Sequence, residues 1–164
     1  MHTPHLPQPQ CSDGAVPPPD RHSADGTAPH AVRAGAGYAG DVSAQLACAW
    51  WQAGDAVLID VRTDAEREWV GFIPGAVAVA WKQWPGMAMN ADFDDAIRAA
   101  VPTGKKAVLL CRSGVRSVAA AKRATELGLE AYNILEGFEG DLDPQAQRGH
   151  QGGWRLHGLP WRQC

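Results

Sequence analysis

Residues 107–117 read AVLLCRSGVRS, and the change of pattern inside this stretch sets the architecture on either side of it. Val108, Leu109 and Leu110 form a continuous apolar run, as expected of a strand buried on both faces. From Arg116 the period changes. Val118, Ala119, Ala121 and Leu127 lie among good helix formers, and Gly128 stops the segment, which predicts a helix over 116–127. Cys111 therefore falls at the carboxyl end of a strand and just before a helix amino terminus. In open α/β sheets that is the crevice where ligands bind.

The loop has chemical consequences. Gly114 allows a tight turn, and successive amide N–H groups in a strand-to-helix turn can form an anion cradle. A thiol in such a cradle, beside Arg112 and Arg116 and over the positive end of a helix, ionises more readily than free cysteine and becomes a nucleophile. A cysteine that merely closes a strand as a small hydrophobe needs neither two cationic neighbours nor a glycine turn. Cys111 is accordingly the candidate catalytic residue, with Arg112, Ser113, Gly114, Val115, Arg116 and Ser117 as candidate substrate-binding residues.

Outward from this loop the same alternation repeats. Ala56 to Val61 is a second apolar run, ending in Asp60-Val61-Arg62, and Ala131 to Leu135 and Val77 to Ala80 read as further strands. Helices are predicted from Asp41 or Ser43 to Gln52, from Thr63 or Asp64 through an acidic first turn, and from Asp92 to Val101. In the second of these Arg62 is placed to meet Glu66. Residues 152–160 close the chain as a short helix, with Trp154 and Leu159 docking on the core. Trp81 and Trp84 follow a strand's carboxyl end and are candidates for a pocket wall. Strands alternating with helices imply an α/β fold with about five parallel strands and helices on both faces.

Composition bounds what else the chain does. Its 164 residues, 45% hydrophobic and 20% charged, suit one soluble domain with a proper core. A net charge of −3 gives no reason to expect nucleic acid. No run of about 18 apolar residues suggests a membrane span. Residues 1–37 hold seven of the twelve prolines and four of the six histidines, with few large apolar side chains, so a disordered tail is expected there, followed by one domain over 38–164. Those histidines lack the spacing of a metal site, and no metal is assigned. Cys11, Cys48, Cys111 and Cys164 show no CxxC spacing and no export signal precedes them, which reads as reduced thiols in the cytoplasm.

Four motifs together carry a resemblance: CRSGVRS at 111–117, IDVR at 59–62, GFIPGA at 71–76 and GGWRLHGLPW at 152–161. In order and spacing they resemble the rhodanese (thiosulfate sulfurtransferase) domain, over roughly residues 38–164. The resemblance implies a rhodanese-like fold and a sulfurtransferase that needs no cofactor. The outer sulfur of thiosulfate passes through a Cys111 persulfide to cyanide or a thiol acceptor. It also implies that Asp60 and Arg62 support the loop by hydrogen bonds and ion pairing. Phe72 stands where the family usually has histidine.

Neighbouring readings are less well matched. The protein tyrosine phosphatases, which also use a cysteine loop, have Cys-x5-Arg, whereas this loop is Cys-x4-Arg and Ser117 occupies the phosphatase arginine position. Mercaptopyruvate sulfurtransferases carry uncharged residues where Arg112 and Arg116 stand, and two cations favour a small dianion over a keto acid. His150 is not expected to act as a base, because sulfur transfer from an ionised thiol needs no proton relay. The remaining alternatives are a rhodanese-like sensor or protein-binding module with weak turnover, and an adaptor working through the polyproline segments of the tail.

Overall fold

The computed structural model describes residues 31–164. Most of the expected tail, residues 1–30, lies outside the described residues. Among the described residues of that expected tail, Arg33 pairs with Asp41 in an isolated antiparallel bridge, with N–H to carbonyl distances of 2.9 and 2.8 Å in the two directions.

Five parallel strands form the sheet: β1 (Gly40–Val42), β2 (Ala56–Asp60), β3 (Val77–Ala78), β6 (Lys106–Leu110) and β7 (Ala131–Ile134). Their order is β1-β7-β6-β2-β3, so β6 is central. A small antiparallel hairpin of β4 (Lys82–Gln83) and β5 (Ala88–Met89) stands apart from it. The helices are α1 (Ala44–Gln52), α2 (Asp64–Trp69), α3 (Phe93–Ala100) and α4 (Val115–Glu126).

Strand periodicity divides the core into two halves. On β6, Val108 and Leu110 pack with α1 residues Leu46, Ala47 and Cys48 and with Trp154. Ala107, Leu109 and Cys111 point the other way, onto Phe93 and Ile97 of α3 and Ala120, Ala121 and Ala124 of α4. Alanines on α4 let its backbone lie close over the sheet. Val108, Leu109 and Leu110 have no exposed surface, and burial of each contributes about 1.5–3 kcal/mol. This is why the run at 108–110 carries no polar residue.

Two expected elements differ. Ser43 alone caps α1, its hydroxyl accepting the Leu46 N–H at 3.1 Å, because Asp41 is drawn into β1 beside β7. Residues 152–160 form successive turns and no helix. Gly153 and Gly158 take φ of 97° and 69°, which breaks a right-handed run. Trp154 nonetheless is fully buried, as expected, and Leu159 packs against the same core half.

Candidate active site

After β2 the chain builds outward to β3, and after β6 it builds the opposite way to β7, so the sheet's switch point lies between β2 and β6. The residues leaving those two strands meet there, and the Val61 N–H donates to the Leu110 carbonyl at 2.9 Å. Cys111 is the first residue beyond β6 and is 1% exposed. Gly114 sits at the α4 amino terminus with φ of 96°. Its N–H donates to Cys111 Sγ at 3.1 Å. No backbone acceptor takes the N–H groups of Ser113, Val115 or Arg116 among the described residues, as the opening turn of a helix requires. The sulfur therefore lies at the positive end of α4.

A second turn holds this loop from behind. The Phe138 N–H donates to the Cys111 carbonyl at 2.8 Å and the Glu139 N–H to the Arg112 carbonyl at 2.9 Å. Gly137 makes the approach possible. A Cβ there would lie 2.5 Å from the Cys111 oxygen, and its φ is 62°. Glu136 shares the left-handed conformation with φ of 66° and accepts the Gly153 N–H at 2.9 Å, which ties the segment at 152–160 to the same turn.

Electrostatics at the loop centre on Glu66. Thr63 caps α2 in a reciprocal capping box: the Glu66 N–H donates to the Thr63 hydroxyl and the Glu66 carboxylate accepts the Thr63 N–H at 2.9 Å. The same carboxylate takes both arms of Arg116, at 2.6 and 2.9 Å. Burial pushes the Glu66 carboxyl up, but the Arg116 hydrogen bonds, the Thr63 N–H and the arginine's charge outweigh it and hold the group at about 2. Arg116 is raised in turn, first by that hydrogen bond, against the opposing effect of its burial, and then by the Glu66 charge.

Above Cys111 opens a cleft of about 660 Å³. Its walls come from α2 (Glu66, Trp69), the α4 loop (Arg112, Ser113, Val115, Arg116), the hairpin (Trp84, Met87) and Arg148. Three arginines face one carboxylate, so the cleft suits an anion. Its rim is apolar: Trp69 is 69% exposed, Trp84 61% and Val115 76%.

Sequence and structure comparisons agree on what this constellation belongs to. The sequence profile of the Rhodanese-like domain family matches residues 42–142. The chain belongs to the rhodanese-like domain family. It is 42% identical to the M. tuberculosis protein Rv0390, whose crystal structure superposes with a TM-score of 0.67 over 76% of this chain and 98% of that one. An uncharacterized protein of Rickettsia conorii is 35% identical over 113 residues, 66% of this chain and 84% of its own. The rhodanese-like domain of the Anabaena protein Alr3790 is 15% identical with a TM-score of 0.53, covering 76% of this chain and 79% of that domain, and shares the fold.

Within the rhodanese-like domain the residues singled out from the sequence fall into three groups. Cys111, Arg112, Ser113, Val115 and Arg116 line the cleft, while Gly114 turns the loop and donates to the sulfur. Ser117 is fully buried behind Cys111. Asp60 and Arg62 pair with each other beneath the site, 1% and 0% exposed, at 2.7 Å. Arg62 does not meet Glu66 as the helix spacing suggested: its side chain turns to Asp60, the Gly71 carbonyl at 2.9 Å and the face of Phe138 at 4.0 Å, leaving Glu66 to Arg116. Its connection to the loop runs through Phe138, whose N–H holds the Cys111 carbonyl.

Other residues sort equally clearly. Trp84 walls the cleft, whereas Trp81 packs edge-on against Phe93 with ring centroids 4.8 Å apart. Phe72 bridges Arg162 and lines a different hollow. His150 pairs with Asp143 at 2.6 Å on the surface. Cys48 is buried in the α1 core and its thiol is pushed up by that burial; Cys164 is exposed. Cys11 lies outside the described residues. Among the described residues, no helix is long and apolar enough to cross a membrane.

Proposed function

We propose that the protein is a thiosulfate sulfurtransferase with Cys111 as its nucleophile. The Cys111 thiolate attacks the outer sulfur of thiosulfate. The S–S bond of thiosulfate breaks with its electron pair leaving on sulfite, and Cys111 is left as a persulfide. Cyanide or a thiolate then attacks the terminal sulfur, forming thiocyanate or a new persulfide and returning the Cys111 thiolate. No cofactor enters either half-reaction.

The observation that carries this reading is the placement of Cys111 Sγ under a glycine N–H, at the floor of a cleft with an excess of arginine over carboxylate. Thiosulfate and departing sulfite are both dianions, and fixed cations and N–H dipoles are the groups that stabilise them. Loop length and charge further support thiosulfate over a phosphate monoester or a keto acid. The apolar rim and the volume of the cleft, far beyond what cyanide needs, support a thiol as acceptor.

Steady-state assays with thiosulfate, mercaptopyruvate and an aryl phosphate test the assignment. Sulfite release from thiosulfate, with little product from the other two, is the expected result. Phosphatase turnover or a preference for mercaptopyruvate would overturn it.

A further inference from the structure

Behind Cys111 a line of hydrogen bonds runs away from the cleft, and neither half-reaction above uses it. Ser117 Oγ lies 3.1 Å from Cys111 Sγ and 2.6 Å from Asn133 Oδ1. Asn133 Nδ2 donates to Asp41 Oδ1 at 2.8 Å, and the Tyr38 hydroxyl donates to the same oxygen at 2.8 Å. Asn133 and Asp41 are register partners on β7 and β1, and Ser117 reaches them from α4. Ser117 has no exposed surface and Asn133 only 2%, so neither exchanges these partners for bulk water.

Donor and acceptor counting gives the line a direction. A carboxylate accepts and does not donate, so the asparagine atom facing Asp41 is the NH2 group. The other atom, the amide oxygen, then faces Ser117 and can only accept. Ser117 has one hydroxyl proton, and both the sulfur and the amide oxygen are within reach of it. Giving it to the sulfur would strand a buried amide oxygen at 2.6 Å from an oxygen lone pair, and a buried acceptor left without a donor is destabilising.

We propose that Asp41, acting through Asn133, holds the Ser117 hydroxyl so that it presents a lone pair to Cys111 Sγ, making Ser117, Asn133 and Asp41 positioning residues that favour the protonated over the ionised sulfur. Gly114 N–H and Ser117 thus act in opposition on one atom: the first donates to the thiolate, the second accepts from the thiol. Other charges near Cys111 are committed elsewhere or lie at the mouth. Arg116 is on Glu66, Arg62 on Asp60, Glu136 on the Gly153 N–H and His157, and Glu139 faces Arg155. Arg112 and Arg148 line the open cleft. All of these remain in place when Ser117 or Asn133 is changed, so a difference between variants reports the line itself.

The test is the pH dependence of iodoacetamide alkylation, followed on the Cys111 peptide by mass spectrometry in the full chain. In Ser117→Ala the thiol loses an acceptor and the thiolate loses nothing, so the half-maximal rate moves to lower pH, by about 0.5–1 unit. Asn133→Ala frees the serine proton for the thiolate and moves it down at least as far. The double variant behaves like Ser117→Ala alone, since Asn133 acts only through the serine. A Ser117→Ala profile that is unchanged or moved to higher pH overturns the proposal, and that sign decides even if Asn133→Ala does not fold. The inference rests on Cys111 being the reactive thiol of the proposed function, yet alkylation needs no sulfur donor. Variants that shift as predicted in a protein that releases no sulfite would sink the sulfur-transfer reading and leave this one standing.

Discussion

Replacing Glu66 by glutamine removes one charge from the site while keeping the side chain's size and an acceptor for the Thr63 N–H. The magnitude follows from the carboxyl's displacement. It is held at about 2 against an ordinary 4.5, equivalent to about 3 kcal/mol of preference for the ionised form in the folded chain. The sign is set by which state takes up the proton first. The unfolded chain protonates near 4.5 and the folded chain near 2, so this stabilisation is complete above the former and lost as pH falls toward the latter. Urea unfolding of both proteins between pH 7 and pH 3 gives the gap in stability at each pH. The gap is expected to be widest at neutral pH and to narrow by about 2 kcal/mol by pH 3. Other carboxyls held low, such as Asp94 and Asp143, titrate in both proteins and cancel from the difference. The variant also loses the anchor of Arg116, so its kcat/KM for thiosulfate should fall by roughly tenfold. A stability gap independent of pH would refute the ionic coupling of Glu66 to Arg116.

Arg116→Ala should lower kcat/KM for thiosulfate by roughly 10- to 100-fold, and Arg116→Lys should recover only part of it, because a point charge does not reproduce the planar fork. The structure adds a stability loss in the alanine variant, since Glu66 keeps a half-buried charge without its partner; unchanged kinetics would remove Arg116 from the site. Gly137→Ala should cost more than about 2 kcal/mol and lower the melting temperature, since its Cβ would meet the Cys111 carbonyl. A melting temperature equal to that of the parent protein would show that the brace has slack. Trp84→Ala, at the cleft rim, should reduce turnover with a thiol acceptor more than with cyanide; equal losses with both would argue against acceptor docking on that wall.

How much of this is legible in the sequence depends on how local each cause is. The strand at 106–110 and the helix after it follow from one apolar run, one glycine and one change of period, all within the same stretch. The edge strand β1 does not, because three residues give no periodicity and Asp41 reads equally well as a helix cap. Cys111 and its loop were legible as a compact motif. The partner of Arg116 was not: Glu66 lies fifty residues away, although Thr63-Asp64-Ala65-Glu66 carries the S/T-x-x-E pattern of a capping box that could have marked it. Asn133 and Asp41 are 92 residues apart, and only the parallel register of β7 with β1 brings them together. Glu136 and Gly137 follow a strand as an ordinary turn would, and only the three-dimensional packing places them behind the cysteine.

The central claim, that Cys111 carries the transferred sulfur, is tested most directly by incubating the protein with thiosulfate and measuring its intact mass and peptide map. One added sulfur, on the peptide holding Cys111, is the predicted result. Cys111→Ser should lose both that adduct and all turnover, whereas serine at 11, 48 or 164 should retain them apart from a packing cost at the buried Cys48. A persulfide mapping to another cysteine, or full activity in Cys111→Ser, would contradict the mechanism.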